Sequence, residues 1–210
     1  MAELAATGQV ENIYKLSTAL GLDVEKHCVD ALLDQGRALA FSKSHADVTI
    51  DQNGNAVSRS TLDGVSQTPL EVKFSTAKLP LMAVLGGHPS KEYDAAVVGS
   101  RTPEEAHLKF SMSIFGSDVK FHVTTKGADP KTIDGVCKTK DGITTIDETI
   151  KDNNNQLLAT GHVVTDIGKK PNAFHRTTEL RDARDQKLGV IDQDVKISEN
   201  SLSADTSITR

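Results

Sequence analysis

The sequence predicts an α+β fold in which an N-terminal helical pair precedes an antiparallel β-sheet or β-sandwich built of successive hairpins. Three observations carry this prediction. Apolar residues recur at helical spacing over residues 10–41. From residue 46 onward apolar and polar residues alternate, and short turn sequences interrupt the alternation. The stretch 106–126 divides into one apolar and one polar side in a single pairing register.

Residues 10–41 predict two helices that are separated at Gly21. A glycine followed by the apolar Leu22 is typical of a helix end, and Asp23 can cap the next helix. The apolar stripes need a partner surface, because helices this short are marginal alone in water. That surface is either the sheet of the same chain or a neighbouring subunit. Contact with a partner is predicted for six apolar positions: Ile13, Leu20, Val24, Leu32, Leu39 and Phe41.

Several hairpins are predicted from turn sequences. Asn53-Gly54 is the strongest short hairpin signal, and it predicts strands at 47–51 and 56–60. Residues 70–74 alternate as a half-buried strand does. Two more pairs of alternating segments flank polar turns: 142–151 and 156–167 about 152–155, and 176–183 and 187–198 about 184–186.

The stretch 106–126 predicts a hairpin whose turn has Gly116 and Ser117 at its central positions. Glycine at the first central position is what a type II′ turn requires. This register places Leu108 opposite Thr125 and Phe110 opposite Val123, so that both arms put their apolar residues on one side. The result is a half-buried antiparallel hairpin.

Two segments do not follow the strand pattern. Residues 79–105 contain prolines and glycines and predict a loop-rich excursion, in which Thr102 to Glu105 starts at most one helical turn. The polar residues Glu199–Arg210 predict a mobile tail or an arm that orders on a partner. The predicted organisation is therefore a helical segment, an antiparallel β domain and a polar tail, at residues 1–45, 46–198 and 199–210.

Composition excludes several classes of protein. The 210-residue chain has a net charge of −5 and 4% aromatic residues, which argues against a nucleic-acid partner. Two cysteines, Cys28 and Cys137, are too few for a disulfide framework and predict free thiols. We expect no signal peptide and no membrane span. The expected location is the cytoplasm, or a particle assembled there.

The candidate chemical motifs are weak. His107 and His122 share a polar face, but the predicted register separates them by more than about 10 Å, which is too far to share one metal ion. His88 lies in a loop, and no serine or cysteine can be tied to it by sequence. The segment Asp51–Asn55 lacks the glycine and glutamate positions of a calcium loop, and Gly86-Gly87 lacks the rest of a nucleotide motif. No catalytic, cofactor-binding or metal-binding residue is predicted.

Three functions are compatible with these patterns. The first is a non-enzymatic structural protein that self-assembles as a homo-oligomer into a particle, tube or filament. The second is a binding module that holds a lipid or another small apolar ligand between helix and sheet. The third is an enzyme whose site is assembled from distant residues, with His88, Glu104 and Glu105 as the candidate cluster.

Overall fold

The computed structural model of the chain describes residues 2–74, 90–98, 104–112, 119–126, 130–166 and 172–210. In these residues a helical N-terminal segment is followed by one antiparallel sheet of thirteen strands. Most of the strands are consecutive hairpin partners. The predicted fold class is confirmed.

The helical segment consists of α1 (Ala2–Val24) and α2 (Asp30–Leu33), joined by a π-helical turn (Glu25–Val29). The strands follow in chain order: β1 (Lys43–Ile50), β2 (Ala56–Leu62), β3 (Val65–Ser66), β4 (Leu70–Phe74), β5 (Ser90–Val98), β6 (Glu104–Met112), β7 (Val119–Lys126), β8 (Lys131–Lys140), β9 (Ile143–Asp152), β10 (Leu157–Asp166), β11 (Ala173–Asp182), β12 (Lys187–Ile197) and β13 (Ser201–Thr209).

The helical segment is continuous, so the predicted break at Gly21 is wrong. Asp23 does not cap a second helix, because its carboxylate is buried and accepts a hydrogen bond from the Ser60 hydroxyl at 3.2 Å. Tertiary packing therefore overrides the local stop signal. The predicted helix is also too long, since α2 ends at Leu33 and the chain then leads to β1.

Three hairpins share a five-residue turn that starts with an aspartate. In each turn the aspartate carboxylate accepts the backbone N–H groups of the third and fifth residues at 2.8–2.9 Å. The fourth residue has a positive φ, which glycine, asparagine and aspartate tolerate best. These turns confirm the predicted ones, and they comprise Asp51–Asn55, Asp152–Gln156 and Asp182–Gln186.

The predicted hairpin within 106–126 is present, but its register differs. Leu108 on β6 pairs with Val123 on β7, and Phe110 pairs with Phe121, a shift of two residues from the prediction. An even shift keeps apolar positions opposite apolar positions, which is why the pattern could not distinguish the two registers. The turn residues 113–118 lie outside the described residues.

The predicted excursion at 79–105 is partly strand. Ser90–Val98 forms β5 and pairs with β4 and β6. Glu104 and Glu105 belong to β6, so the helical turn predicted at Thr102 to Glu105 does not include them. The remaining residues of the excursion, 79–89 and 99–103, lie outside the described residues.

The sheet closes on itself. β1 pairs with β2 along one edge and with β13 along the other. From β2 the order continues through β4 to β12 in sequence and returns to β13. Every described strand except the two-residue β3 therefore has a partner on both sides, and we call this closed sheet the ring.

The C-terminal residues belong to the ring, so the predicted polar tail at 199–210 is wrong. Ser201–Thr209 is β13, and it pairs with both β12 and β1. Leu202, Ala204 and Ile208 are at most 2% exposed. Their period-two spacing between small polar residues is that of a half-buried strand. The other predicted domain boundaries stay predictions.

The helical segment lies inside the ring. Leu16, Ala19 and Leu20 pack in one core cluster with buried residues of β1, β2, β4, β12 and β13. Cys28 and Leu32 pack in a second cluster with buried residues of β9 to β13. Because strands from different arcs of the ring contact the same helix, the core consists of the helix and the inward faces of these strands.

Polar contacts also connect the helix to the ring. Lys131 of β8 is 5% exposed, and its ammonium pairs with the carboxylates of Asp30 and Glu25, the latter at 3.9 Å. The guanidinium of Arg210 donates to the backbone carbonyls of Ala31 and Asp34 at the end of the helix, and to that of Arg37 in the loop that follows. These donors satisfy carbonyl groups that a helix end leaves unpaired.

Candidate functional site

One row of residues across the inward face alternates large and small side chains. Neighbouring strands pair Phe121 with Gly135, Gly135 with Glu148, and Glu148 with Gly161. A Cβ atom added at Gly135 would lie 2.1 Å from the Phe121 ring, and one at Gly161 would lie 2.5 Å from the Glu148 carboxylate. The glycines therefore give the larger side chains room to lie across the adjacent strand.

Glu148 is a carboxylate on the inward face of β9. It lies between Ile146 and Ile150 in the alternation, and Ile150 is 1% exposed in the core. The Glu148 side chain extends over Gly161 of β10. A strand residue on the same face as two isoleucines is an unusual place for a charge.

Arg176 is a cation on the inward face of β11. It shares this face with Leu180, which is fully buried. Its Nε donates a hydrogen bond to the Thr165 hydroxyl at 3.3 Å, and its guanidinium carbon lies 5.6 Å from the centroid of the Phe174 ring. Thr165 is the direct cross-strand partner of Arg176 on β10.

Glu148 and Arg176 are both desolvated by their surroundings. Burial raises the pKa of Glu148, and the attraction of Arg176 partly opposes the increase. Burial lowers the pKa of Arg176, with Glu148 and Cys137 acting in the opposite direction. Each residue thus stabilises the charged form of the other, although no direct ion pair joins them among the described residues.

Most polar side-chain atoms of this pair make no hydrogen bond to the described residues. In the described part of the chain, neither the Glu148 carboxylate nor the terminal nitrogens of Arg176 make a hydrogen bond to protein, apart from the Arg176 Nε contact above. Both residues are half-buried rather than sealed. Desolvated charges without partners are costly and occur preferentially at functional sites.

Half-buried apolar side chains surround the pair. Several apolar residues on this face keep partial exposure, whereas Val163 and Thr165 of β10, the strand between the two charged residues, are each only 5% exposed. This face therefore combines accessible apolar surface with one carboxylate and one guanidinium. The apolar residues concerned are Phe121, Val123, Ile133, Ile146 and Phe174.

The six helix residues predicted as partner contacts lie mainly in the core of the chain itself. Leu20, Leu32 and Phe41 are at most 6% exposed, and Val24 and Leu39 pack against the core clusters. Ile13 is 43% exposed. The sheet of the same chain is thus the partner surface of the apolar stripes, and a contact with another subunit stays a prediction for these residues.

Among the described residues, the weak chemical motifs of the sequence do not combine into one cluster. His107 pairs with Thr124 and His122 with Lys109, so the two histidines are two pairing steps apart instead of four. The predicted separation of more than about 10 Å is therefore wrong, because diagonal neighbours in a sheet lie about 7–8 Å apart. Asp51 uses its carboxylate for the turn, in agreement with the hairpin interpretation. His88 lies outside the described residues, and its clustering with Glu104 and Glu105 stays a prediction.

Four histidines pair with aspartates on the outward face. In each pair the imidazole Nδ1 lies 2.6–3.0 Å from a carboxylate oxygen of the residue directly opposite on the next strand. The sequence did not predict these pairs, because it does not state which strands are neighbours. The pairs are His45–Asp205, His122–Asp134, His162–Asp147 and His175–Asp194.

Two of these pairs line an open groove of about 680 Å³ across β11, β12, β13 and β1. Within the described residues, no group of three or more histidine, cysteine, aspartate or glutamate side chains is arranged to hold a metal ion. Cys28 is buried and Cys137 half-buried, and neither forms a disulfide among the described residues. Burial raises the pKa of Cys28 to about 12, so this thiol is chemically inert at neutral pH.

Comparison of the chain with protein-family models, with curated proteins and with solved structures finds no match. Among the described residues, no helix combines the length and apolar character needed to cross a membrane. Two regions of the described structure therefore bear on function: the interior of the ring, with Glu148 and Arg176, and the outward face, with the histidine–aspartate pairs.

Proposed function

We propose that the protein is a binding module that holds a small amphipathic anion inside the ring, with the anionic group against Arg176. The observation that carries this proposal is the guanidinium of Arg176, whose terminal nitrogens have no protein partner among the described residues. This proposal develops the ligand-binding function predicted from the sequence, and adds a charged contact to the apolar pocket.

The chemistry of the face favours such a ligand. A guanidinium offers parallel N–H donors that match a carboxylate, phosphate or sulfonate group. The surrounding apolar side chains offer a surface for a hydrocarbon or aromatic part. Glu148 can accept a hydrogen bond from a hydroxyl or amine on the ligand.

The first test measures binding of dodecanoate and of the uncharged dodecanol to the full chain by titration calorimetry. We expect dodecanoate to bind at least about tenfold more tightly, since a charge-assisted hydrogen bond contributes roughly 1.5–3 kcal/mol. Equal affinity for the two compounds, or no binding of dodecanoate, would contradict the proposal.

The matched variants are Arg176→Met and Arg181→Met. Arg181 lies on the same strand, but its guanidinium pairs with Glu179 at 2.7 Å and is 42% exposed. Arg176→Met should weaken dodecanoate binding about tenfold or more, and Arg181→Met should leave it unchanged. Circular dichroism checks that each variant is folded. Equal losses in both variants would show that Arg176 has no specific role.

Self-assembly, the first of the three functions predicted from the sequence, stays a proposal. The specific observation in its favour is a set of exposed large apolar residues, Ile13, Val65, Ile143 and Leu157, which are 39–66% exposed. Edge-to-edge strand addition is disfavoured in the described part, because the closed ring leaves only β3 with a free edge. Light scattering after size exclusion tests this proposal, and a mass of 22.5 kDa would contradict it.

A further inference from the structure

Four residues form one straight row across the outward face of four neighbouring strands. His175 of β11 is directly opposite Asp194 of β12, Asp194 is opposite Asp205 of β13, and Asp205 is opposite His45 of β1. We call this set the outer row. The imidazole Nδ1 of His175 lies 3.0 Å from Asp194, and that of His45 lies 2.7 Å from Asp205.

The centre of the outer row places two carboxylates opposite each other. Like charges at directly paired positions of an antiparallel sheet destabilise it. Each carboxylate has an imidazole on its other side, and protonated imidazoles would neutralise the row. The charge of the row therefore depends on pH in the range in which histidine titrates.

The surroundings of the outer row are also acidic. On the same face, aspartates outnumber the cationic side chains that flank or oppose the row. Thr177 and Thr61 are neutral neighbours of His175 and His45. The charged neighbours are Asp166, Asp192, Asp47 and Asp63 against Lys43, Lys196 and Arg59.

We propose that the outer row is a pH-sensitive latch, which holds β13 between β12 and β1 more firmly when its histidines are protonated. These strands form the seam at which the ring closes. The Asp205 hydrogen bond is the largest contribution that raises the pKa of His45. A raised pKa means that the stabilisation is fully present below about pH 6.5 and is lost as pH rises through the pKa of the folded state.

The first experiment measures the pKa of His45 by NMR titration of its imidazole at low salt. Asp194 lies two strands from His45 and does not contact it, a separation of about 10 Å. Coulomb's law in water then predicts that Asp194→Asn lowers the pKa of His45 by about 0.3. Asp205→Asn, which removes the direct partner, should lower it further.

The matched control is Asp147→Asn, which removes an aspartate from a histidine pair on β9 and β10, outside the outer row. It should leave the pKa of His45 unchanged. If Asp205→Asn lowers the pKa of His45 and Asp194→Asn behaves like the control, the His45–Asp205 pair exists but the charges of the row do not act on one another, and the proposal is wrong.

A second experiment measures the latch itself. Urea unfolding at pH 6.0 and pH 8.5 should give a higher midpoint at pH 6.0 for the wild type. In the double variant His45→Gln, His175→Gln this difference should shrink. An undiminished difference in the folded double variant would overturn the proposed latch, because other groups would then account for the pH dependence.

Discussion

Replacing Gly189 by alanine tests whether the inward face is as tightly packed as the structure indicates. Gly189 is a buried residue on β12, next to α2 and β13. A Cβ atom at this position would lie 2.3 Å from the carbonyl oxygen of Thr209 and 2.5 Å from a methyl group of Leu32. These close contacts predict that Gly189→Ala lowers the free energy of unfolding. Strand propensity alone predicts that it raises this free energy, because alanine is favoured over glycine in a strand by about 0.5–1 kcal/mol.

The magnitude follows from what has to move. Normal contact at this position begins at 3.4 Å, so the Thr209 carbonyl must retreat by about 1 Å. That carbonyl belongs to the backbone of β13, and Leu32 is fully buried, so neither can move cheaply. Overpacking of this kind costs roughly 1–3 kcal/mol. For a chain of this length, a loss of about 2 kcal/mol lowers the Tm by roughly 4–8 °C.

Urea unfolding followed by circular dichroism measures the change. Gly189→Ala should lower the midpoint at an unchanged slope. Gly21→Ala is the control, because nothing lies within 4 Å of a Cβ atom at this exposed helical position. A Gly189→Ala midpoint equal to or above that of the wild type would refute the packing argument. In the double variant Gly189→Ala, Leu32→Ala, the loss of stability should be smaller than the sum of the losses in the two single variants. The smaller side chain at position 32 leaves room for the added methyl group, and the difference is a coupling energy.

Three further outcomes are expected. Gly21→Ala should raise the unfolding free energy by about 0.5–1 kcal/mol in the same urea assay, because the helix continues through this position. Lys131→Met should lower it by roughly 3 kcal/mol at pH 7, since two carboxylates then lose a buried cation. Cys28 should resist a thiol reagent at pH 8 until urea unfolds the chain, given its pKa of about 12; labelling in the native state would contradict its burial.

Local patterns predicted the hairpins well. The turns at Asn53-Gly54 and at residues 152–155 carry backbone requirements that few residue types meet, so the sequence states them directly. The helix break predicted at Gly21 was wrong, because burial of the flanking residues decides whether a helix continues, and the local sequence does not state that burial. The polar tail failed because Ser201–Thr209 pairs not only with the preceding strand β12 but also with β1, which is distant in sequence.

The candidate site required knowledge of which face is inward. A signal for Glu148 exists, since a charged residue occupies an apolar position between Ile146 and Ile150. Arg176, two residues after Phe174, follows the same pattern. Neither signal shows that β9 and β11 lie close together, because the distance between these strands depends on the pairing of β10 with both of them. The histidine–aspartate pairs were unpredictable for the same reason.

The closure of the ring constrains the kinetics of folding. His45 and Asp205, which pair across the seam, are 160 residues apart in sequence. A contact of this range has a high loop-closure entropy, and structures rich in such contacts fold slowly. During synthesis, about 160 further residues must follow His45 before the second partner of β1 emerges. Until then β1 and β12 present unpaired edges, so the nascent chain is most exposed to misassociation just before the last strand arrives.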